Sequence, residues 1–332
     1  MKRELIQLLK GQKVYIQTHN FPDPDALASA FALQQYLKYY KVEAVICYDG
    51  KLERASARRM LENFGIQVVS VEKNGRLQAG DYVILIDSQN QNANVSDIGG
   101  KKVACIDHHP VFVKYPYEYM DIQRVGSCAS IVASYFKEDG IPMEPNVAAA
   151  LAYAIKMDTA DFTRGTTQLD TDMFAYLFRH ADWKLVQYMY TNTLEFEDLR
   201  AYEAAIQSIE VYDKVGFAYI PFVCQPALIA IISDFMKALD EVTIAVIYAM
   251  QDDGIRFSVR SEEEEVNVGT LLKNILKGIG DGGGHPAMAG GYISKEAAER
   301  LGDGLHQTVR ERFMQGIQEM RSGNSTEMCS NQ

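Results

Sequence analysis

No run of apolar residues in this chain is long enough to span a membrane. The opening segment, Met1 to Lys10, reads as the start of an amphipathic helix with Glu4 inside it, too short for a secretory signal. Cysteine is sparse, odd in number and dispersed: Cys47, Cys105, Cys128, Cys224 and Cys329. Cys47 and Cys105 fall in apolar, strand-like runs, so a disulfide framework is excluded and the cysteines are read as reduced, in a cytoplasmic protein. Positive charge is also in short supply, with 33 Lys and Arg against 44 Asp and Glu, a formal net charge of −11. A protein that grips long duplex nucleic acid carries a basic footprint. The nearest basic clusters, Arg54/Arg58/Arg59 and Lys101/Lys102, read as solvated faces. Stable duplex nucleic acid and membranes are therefore excluded as partners.

What is present is enough apolar residue for two cores. The chain has 332 residues, 47% hydrophobic and 23% charged, which favours two domains. Apolar runs near 13–18, 42–48, 66–71, 82–87 and 102–107 alternate with helical segments, the pattern of a parallel α/β sheet. Residues 128–157 and 170–192 read as helical and complete a first domain over 1–192. The charged, amphipathic stretch 193–212, with Leu194, Phe196, Leu199, Tyr202 and Ala205, reads as a helical linker. A smaller second α/β domain is expected over 213–321: strand 215–220, helix 226–239, strands 242–250 and 255–260, helix 268–279, a glycine loop, strand 287–293 and helix 295–320. Gln251-Asp252-Asp253-Gly254 is a hairpin signal, Glu262 to Glu265 reads as a solvated loop, and 322–332 as a disordered tail.

Chemistry gathers at the ends of the first domain's strands. Lys102-Val103-Ala104-Cys105-Ile106 runs into Asp107-His108-His109, which holds two of the chain's six histidines. Imidazole and carboxylate together suit Mn²⁺, Zn²⁺ or Fe²⁺, and strand ends are where open α/β sheets place ligands. Alone, the triplet fits a turn-capping pair equally well. Val14 to Thr18 runs into His19-Asn20-Phe21-Pro22-Asp23-Pro24-Asp25, whose two prolines predict a loop holding His19, Asp23 and Asp25 ahead of a helix from Ala26 to Tyr40. An N-cap role would explain one of these acids and does not explain His19. Tyr82 to Ile86 ends in Asp87. Asp158 closes the apolar helix 147–155, where a carboxylate meets the unfavourable end of the macrodipole; it reads equally as a ligand or as a cap for the Thr159-Ala160-Asp161 turn. Four carboxylates in one place repel one another, and two divalent cations would offset their charge. Two metals about 3.5–4 Å apart are a known solution for phosphate-ester hydrolysis, and Asp87, at a central strand end, is the expected bridge.

The four blocks around His19, Asp87, His108 and Asp158, in this order, resemble the metal-binding motifs of the DHH-family phosphoesterases. The resemblance implies a doubly wound N-terminal sheet with a dinuclear site, most often Mn²⁺, with Mg²⁺ or Fe²⁺ as alternatives. His19, Asp23 and Asp87 would hold one ion. Asp25, Asp87, His108 and Asp158 would hold the other. His109 would reach the scissile phosphate and Asp107 would orient the histidines. Asp281-Gly282-Gly283-Gly284-His285 resembles the glycine-histidine block of the DHHA1 domain, which binds the nucleotide part of the substrate. Glycine amides can approach an anion closely. Phe257-Ser258-Val259-Arg260-Ser261 matches an arginine-serine pair of the same pattern, so Arg260, Ser261, Gly283, Gly284 and His285 are the expected substrate-binding residues.

The expected function is hydrolysis of short nucleotide phosphoesters: linear dinucleotides such as pApA, nanoRNA, or 3′-phosphoadenosine 5′-phosphate. The partner is then a short substrate, and a homodimer is the default assembly. The alternatives are a family II-like inorganic pyrophosphatase, a RecJ-like single-strand exonuclease and a non-enzymatic nucleotide sensor. Three departures from the family pattern bear on the substrate: Pro24 and Ala28 where glycines are frequent, Asp161 where an arginine is frequent, and Pro286-Ala287-Met288 where lysines are frequent.

Overall fold

A computed structural model describes residues 2–50, 52, 55–191 and 194–328. Arg54, the start of the expected linker at Thr193, and Cys329 to Gln332 lie outside them. The chain divides into two compact units, Met1–Thr193 and Leu194–Gln332, each an α/β structure. No helix among the described residues is long and apolar enough to cross a membrane.

The first unit contains α1 (Lys2–Leu9), β1 (Val14–Gln17), α2 (Pro24–Tyr39), β2 (Ala44–Tyr48), α3 (Ala55–Phe64), β3 (Val68–Ser70), α4 (Val71–Asn74), β4 (Leu77–Ile86), β5 (Gly99–Asp107), β6 (Tyr119–Ile122), α5 (Cys128–Asp139), α6 (Pro145–Asp158), α7 (Gln168–Phe178) and α8 (Trp183–Thr191). Its six strands are all parallel, in the order β3-β2-β1-β4-β5-β6. The order reverses between β1 and β4, and such a switch point is where doubly wound sheets open a ligand crevice at their carboxyl ends. Strand β6 was not anticipated: Tyr119-Met120-Asp121-Ile122 is short and carries a buried acid, Asp121, satisfied by the Tyr135 hydroxyl at 2.6 Å.

The expected helical block 128–157 is two helices. Gly140 takes the left-handed C-cap that ends α5 (φ 64°), and Pro145 opens α6. The block 170–192 likewise divides into α7 and α8 at His180 to Asp182. Helices α2 and α6 are apolar nearly all round and both are buried, with many alanines that let helix backbones approach closely.

The second unit contains α9 (Asp198–Ser208), β7 (Glu210–Tyr212), β8 (Val215–Ile220), α10 (Pro226–Lys237), β9 (Ile244–Gln251), β10 (Gly254–Ser261), α11 (Val268–Ile275), β11 (Gly280–His285), β12 (Met288–Ser294), α12 (Lys295–Leu301), a 3₁₀ turn Gly302–Gly304 and α13 (Leu305–Met328). Its mixed sheet runs β11-β12-β10-β9-β8-β7 and only β8–β9 is parallel. The expected linker is part of this unit: Ala201 and Ala205 of α9 are buried in the same core as Ile229 and Ile247, and β7 is the sheet's edge. The expected single helix 295–320 breaks at Gly302, whose φ is 51°. Helix α13 continues to Met328 through most of the stretch expected as a tail. The acidic run is not simply solvated, because Glu263 is held by Arg321 at 2.7 Å and by Thr243 at 2.5 Å.

The glycine run is a strand. Residues 280–285 pair in register with β12, Gly283 opposite Gly290 and His285 opposite Met288. Glycine is required by close packing: a Cβ on Gly282 would stand 2.8 Å from Leu272 Cγ, and one on Gly280 would stand 2.1 Å from the Tyr292 carbonyl oxygen. A strand without side chains has no hydrophobic alternation, which is why the pattern read as a loop.

Candidate metal centre

The switch point collects the expected ligands. His19 follows β1. Asp23 is the N-cap of α2, its Oδ1 accepting from the Asp25 and Ala26 amides at 3.0 and 3.1 Å. Pro24 occupies the first helical turn, where a missing N–H costs nothing, so Asp25 sits in the helix and not in the expected loop. Its buried carboxylate crosses to the start of α5 and accepts from the Cys128 amide at 2.7 Å and the Ala129 amide at 2.8 Å. The positive end of that helix is a natural seat for it.

Asp87 follows β4 in the left-handed region, with φ 54°. Its Oδ2 lies 3.9 Å from His19 Nε2 and its Oδ1 lies 3.4 Å from His108 Nε2. The same His108 nitrogen is 3.2 Å from Asp158 Oδ2 and 3.8 Å from Asp25 Oδ2. His19 Nε2 is 3.8 Å from Asp23 Oδ1. Donor atoms of His19, Asp23 and Asp87 lie within 4.8 Å of one another, as do those of Asp25, His108 and Asp158. All six expected ligands are thus brought together. The other ring nitrogen of His108 is 3.0 Å from the Val125 carbonyl oxygen. A carbonyl only accepts, so Nδ1 donates this bond, and Nε2 is the ring atom that faces the three acids.

Two expected residues stand beside this cluster. Asp107, fully buried, accepts from the His108 and His109 amides and meets His109 Nδ1 at 2.9 Å. Burial pushes its carboxyl up, but the His109 and Gln89 hydrogen bonds outweigh that and hold it below the usual range. His109 is about half exposed, and the Asp107 bond raises its pKa. Gln89 was not singled out in the sequence. Its Nε2 donates to Asp107 Oδ2 at 2.7 Å and to the His109 carbonyl at 3.2 Å.

The acids are under electrostatic strain. Burial, then the charge of Asp158, raises Asp25 to about 7. Burial and the charges of Asp25, Asp23 and Asp107 push Asp87 well up. Burial raises Asp158, with His108 opposing. Asp87 Oδ1 and His108 Nε2 are both buried without a hydrogen bond. Clustered acids with raised pKa values and orphaned donor atoms fit divalent cations in oxygen/nitrogen coordination.

Asp158 is the last residue of α6. After it Ala160, Asp161 and Phe162 all have positive φ, 48°, 54° and 68°. The turn brings back Arg164, whose Nη2 donates to the Asp158 carbonyl at 2.7 Å and lies 3.8 Å from Asp158 Oδ1. Arg164 was overlooked in the sequence; a lone basic residue six positions past a ligand, in a polar turn, is a weak signal. Asp161 is neutralised by Lys156 at 2.9 Å.

The second unit holds a separate cavity of about 690 Å³ on one face of its sheet. Helix α10 forms a wall through Pro226 and Ile229, Gly283 and Gly290 form the floor, and Arg256, Arg260 and Tyr292 also line it. Arg260 Nε donates to Asp234 Oδ1 at 2.7 Å, so this guanidinium already has an acidic partner. Gly283 and Gly284 line the cavity. Ser261 and His285 do not. Ser261 lies on the opposite face of β10, buried, and its Oγ accepts from the Glu263 amide at 3.0 Å. His285 is exposed at the end of β11.

The model of the DHH family N-terminal domain matches residues 13–155, and that of the DHHA1 domain matches residues 213–311. The chain is a member of the DHH family with a C-terminal DHHA1 domain. It is 27% identical over 330 residues to an uncharacterized protein of Methanocaldococcus jannaschii, covering 96% of this chain and 66% of that one. It is 31% identical over 169 residues to a probable manganese-dependent inorganic pyrophosphatase of Streptococcus pyogenes, covering 49% of this chain and 53% of that protein. The chain thus spans between half and two thirds of these relatives. Among solved structures, an exopolyphosphatase-related protein from Bacteroides fragilis superposes with a TM-score of 0.75 at 13% identity, covering 97% of this chain and 98% of that one. RecJ of Thermus thermophilus in complex with Mn²⁺ gives 0.52 at 12%, covering 94% and 54%. Both show a shared fold.

Proposed function

We propose that the chain is a metal-dependent phosphoesterase acting on short nucleotide phosphoesters, with linear dinucleotides as the leading substrates. One observation carries the reading: Asp87 offers one oxygen toward His19 and the other toward His108, at the switch point of a doubly wound sheet. His19, Asp23 and Asp87 would hold one cation, and Asp25, Asp87, His108 and Asp158 the second. Mn²⁺ is favoured by the manganese-dependent relatives, while the ligand chemistry also accepts Mg²⁺ or Fe²⁺. When bound, such cations supply Lewis-acid polarisation of a phosphoryl oxygen and acidify a water.

The chain's own residues do the rest. Asp107 holds His109 through Nδ1, leaving Nε2 as the ring's acid–base atom. The raised pKa of His109 keeps more of it protonated near neutrality, as a donor to a leaving ribose oxygen requires. Arg164 adds a positive charge beside Asp158. In the second unit, the flat glycine floor with Tyr292 and two arginines at its margin suits a planar base and an anionic group.

The test is a panel in Mn²⁺: pApA, longer ribo-oligomers, 3′-phosphoadenosine 5′-phosphate and pyrophosphate. Preferential turnover of pApA supports the reading. Turnover of pyrophosphate with none of the nucleotides moves the chain to the pyrophosphatase reading. Processive loss of long single strands favours the exonuclease reading, and tight nucleotide binding without hydrolysis favours a sensor.

A further inference from the structure

Asp170 is fully buried in the first turn of α7. Its Oδ2 accepts from the Thr167 amide at 2.8 Å, as the N3 carboxylate of a capping box does, and from the Thr167 hydroxyl at 2.7 Å. It does more than cap its own helix. The same oxygen accepts from the Gly126 amide at 2.8 Å, and Oδ1 accepts from the Ser130 hydroxyl at 2.6 Å. Gly126 has no room for a side chain, since a Cβ there would stand 2.7 Å from Asp170 Oδ2.

The amide of Gly126 and the carbonyl of Val125 belong to one peptide group. On one side it donates to Asp170; on the other it accepts from His108 Nδ1 at 3.0 Å. We infer that Asp170 is a positioning residue for His108, acting through the Val125–Gly126 peptide to fix the imidazole tautomer. A carboxylate at the N–H end polarises the peptide and makes its oxygen a stronger acceptor. A stronger acceptor on Nδ1–H holds the ring in place and would make Nε2 a better electron-pair donor to a cation held with Asp25, Asp87 and Asp158, the role that carboxylates and carbonyls play behind metal-ligating histidines. The inference rests on the reading of His108 as a metal ligand.

The test uses the full chain. Long-range ¹H–¹⁵N spectra of the metal-free protein report the His108 tautomer, and calorimetry reports Mn²⁺ affinity. The wild type is expected to show His108 protonated on Nδ1 and a far-downfield Gly126 amide proton. Asp170→Asn keeps the volume and loses the charge; it is expected to give mixed tautomers and Mn²⁺ binding weakened roughly 10–100-fold. Asp139→Asn, which removes a carboxylate bonded only to the distant Tyr36 and Tyr40 hydroxyls among its described hydrogen bonds, should change neither. Wild-type Mn²⁺ affinity in Asp170→Asn overturns the inference. If that variant does not fold, a wild-type His108 protonated on Nε2 alone overturns it equally. A wild type with the expected tautomer that binds no Mn²⁺ instead overturns the metal-centre reading.

Discussion

Asp87 Oδ1 and His108 Nε2 stand 3.4 Å apart, both buried and neither hydrogen-bonded. Asp87 reaches that position from a left-handed backbone, a conformation that Asp adopts more readily than most residues and that clusters at functional sites. The metal-free centre is therefore a place where the fold gives up stability to hold donor atoms together.

Replacing Asp87 with Asn should separate the two contributions. Asn tolerates the left-handed backbone as Asp does, so the strand end is preserved while one repelling carboxylate is removed. The metal-free variant should be more stable than the wild type by about 0.5–2 kcal/mol. It should also lose the thermal shift that Mn²⁺ gives the wild type, and with it hydrolysis. Denaturation with and without Mn²⁺ measures both. A variant that Mn²⁺ still stabilises to the wild-type extent would show that Asp87 does not bridge.

The raised acids set the direction of the pH dependence. Asp25, with a folded pKa of about 7, and Asp87 and Asp158, also raised, bind protons in the folded state that the unfolded chain has released above roughly pH 4. The folded state thus holds more protons between about pH 4 and 7, and its stability falls as pH rises through that window. His109, raised above its usual value, acts in the same sense at higher pH. Asp107, held low, acts in the opposite sense and only below about pH 4. In EDTA the protein should lose on the order of a few kcal/mol between about pH 4 and 7, and divalent cations should remove the decline. Flat urea midpoints in EDTA across that range would count against the cluster.

The parts of the site legible in the sequence were those where a polar ligand ends an apolar run: His19 after β1, Asp87 after β4, His108 after β5. The parts not legible depend on partners far along the chain. Asp25 is seated on the α5 amides more than a hundred positions away, Asp170 reaches back to Gly126, and Arg260 is matched by Asp234 on a helix. Ser261 was expected beside Arg260, but successive strand residues face opposite ways, so with Arg260 lining the cavity Ser261 lies on the other face of the strand. The glycine run stood out by composition, while its strand pairing was hidden because glycine has no side chain to alternate.

Two adjacent glycines should respond differently. A Cβ at Gly283 meets nothing within 4 Å, whereas one at Gly282 meets Leu272 Cγ at 2.8 Å. Gly282→Ala should destabilise the second unit by about 1–3 kcal/mol through overpacking. Gly283→Val should fold normally and fill the cavity floor, weakening binding of a nucleotide by at least about tenfold, or 1.4 kcal/mol. Thermal melts and equilibrium binding of pApA to the two variants decide it. Unchanged binding in Gly283→Val would mean that the cavity is not the nucleotide subsite.

The left-handed turn after Asp158 offers a last test of strain at the centre. Three successive residues, Ala160, Asp161 and Phe162, have positive φ, and each such residue costs roughly 1–2 kcal/mol when it is not glycine or Asn/Asp. Ala160 has no polar side chain to offset this. Glycine there removes the steric cost but adds about 0.5–1 kcal/mol of chain entropy to folding, so Ala160→Gly should be more stable by about 0.5–1 kcal/mol. The turn also fixes where Asp158 and Arg164 meet, through the Thr159 hydroxyl accepting from the Phe162 amide at 3.1 Å and the Arg164 amide donating to the Thr159 carbonyl at 2.8 Å. A freer turn should hold Asp158 less well and weaken Mn²⁺ binding several-fold even as the fold gains stability. Opposite movement of melting temperature and metal affinity in one variant is the expected signature, and a loss of both would show that the alanine is not strained.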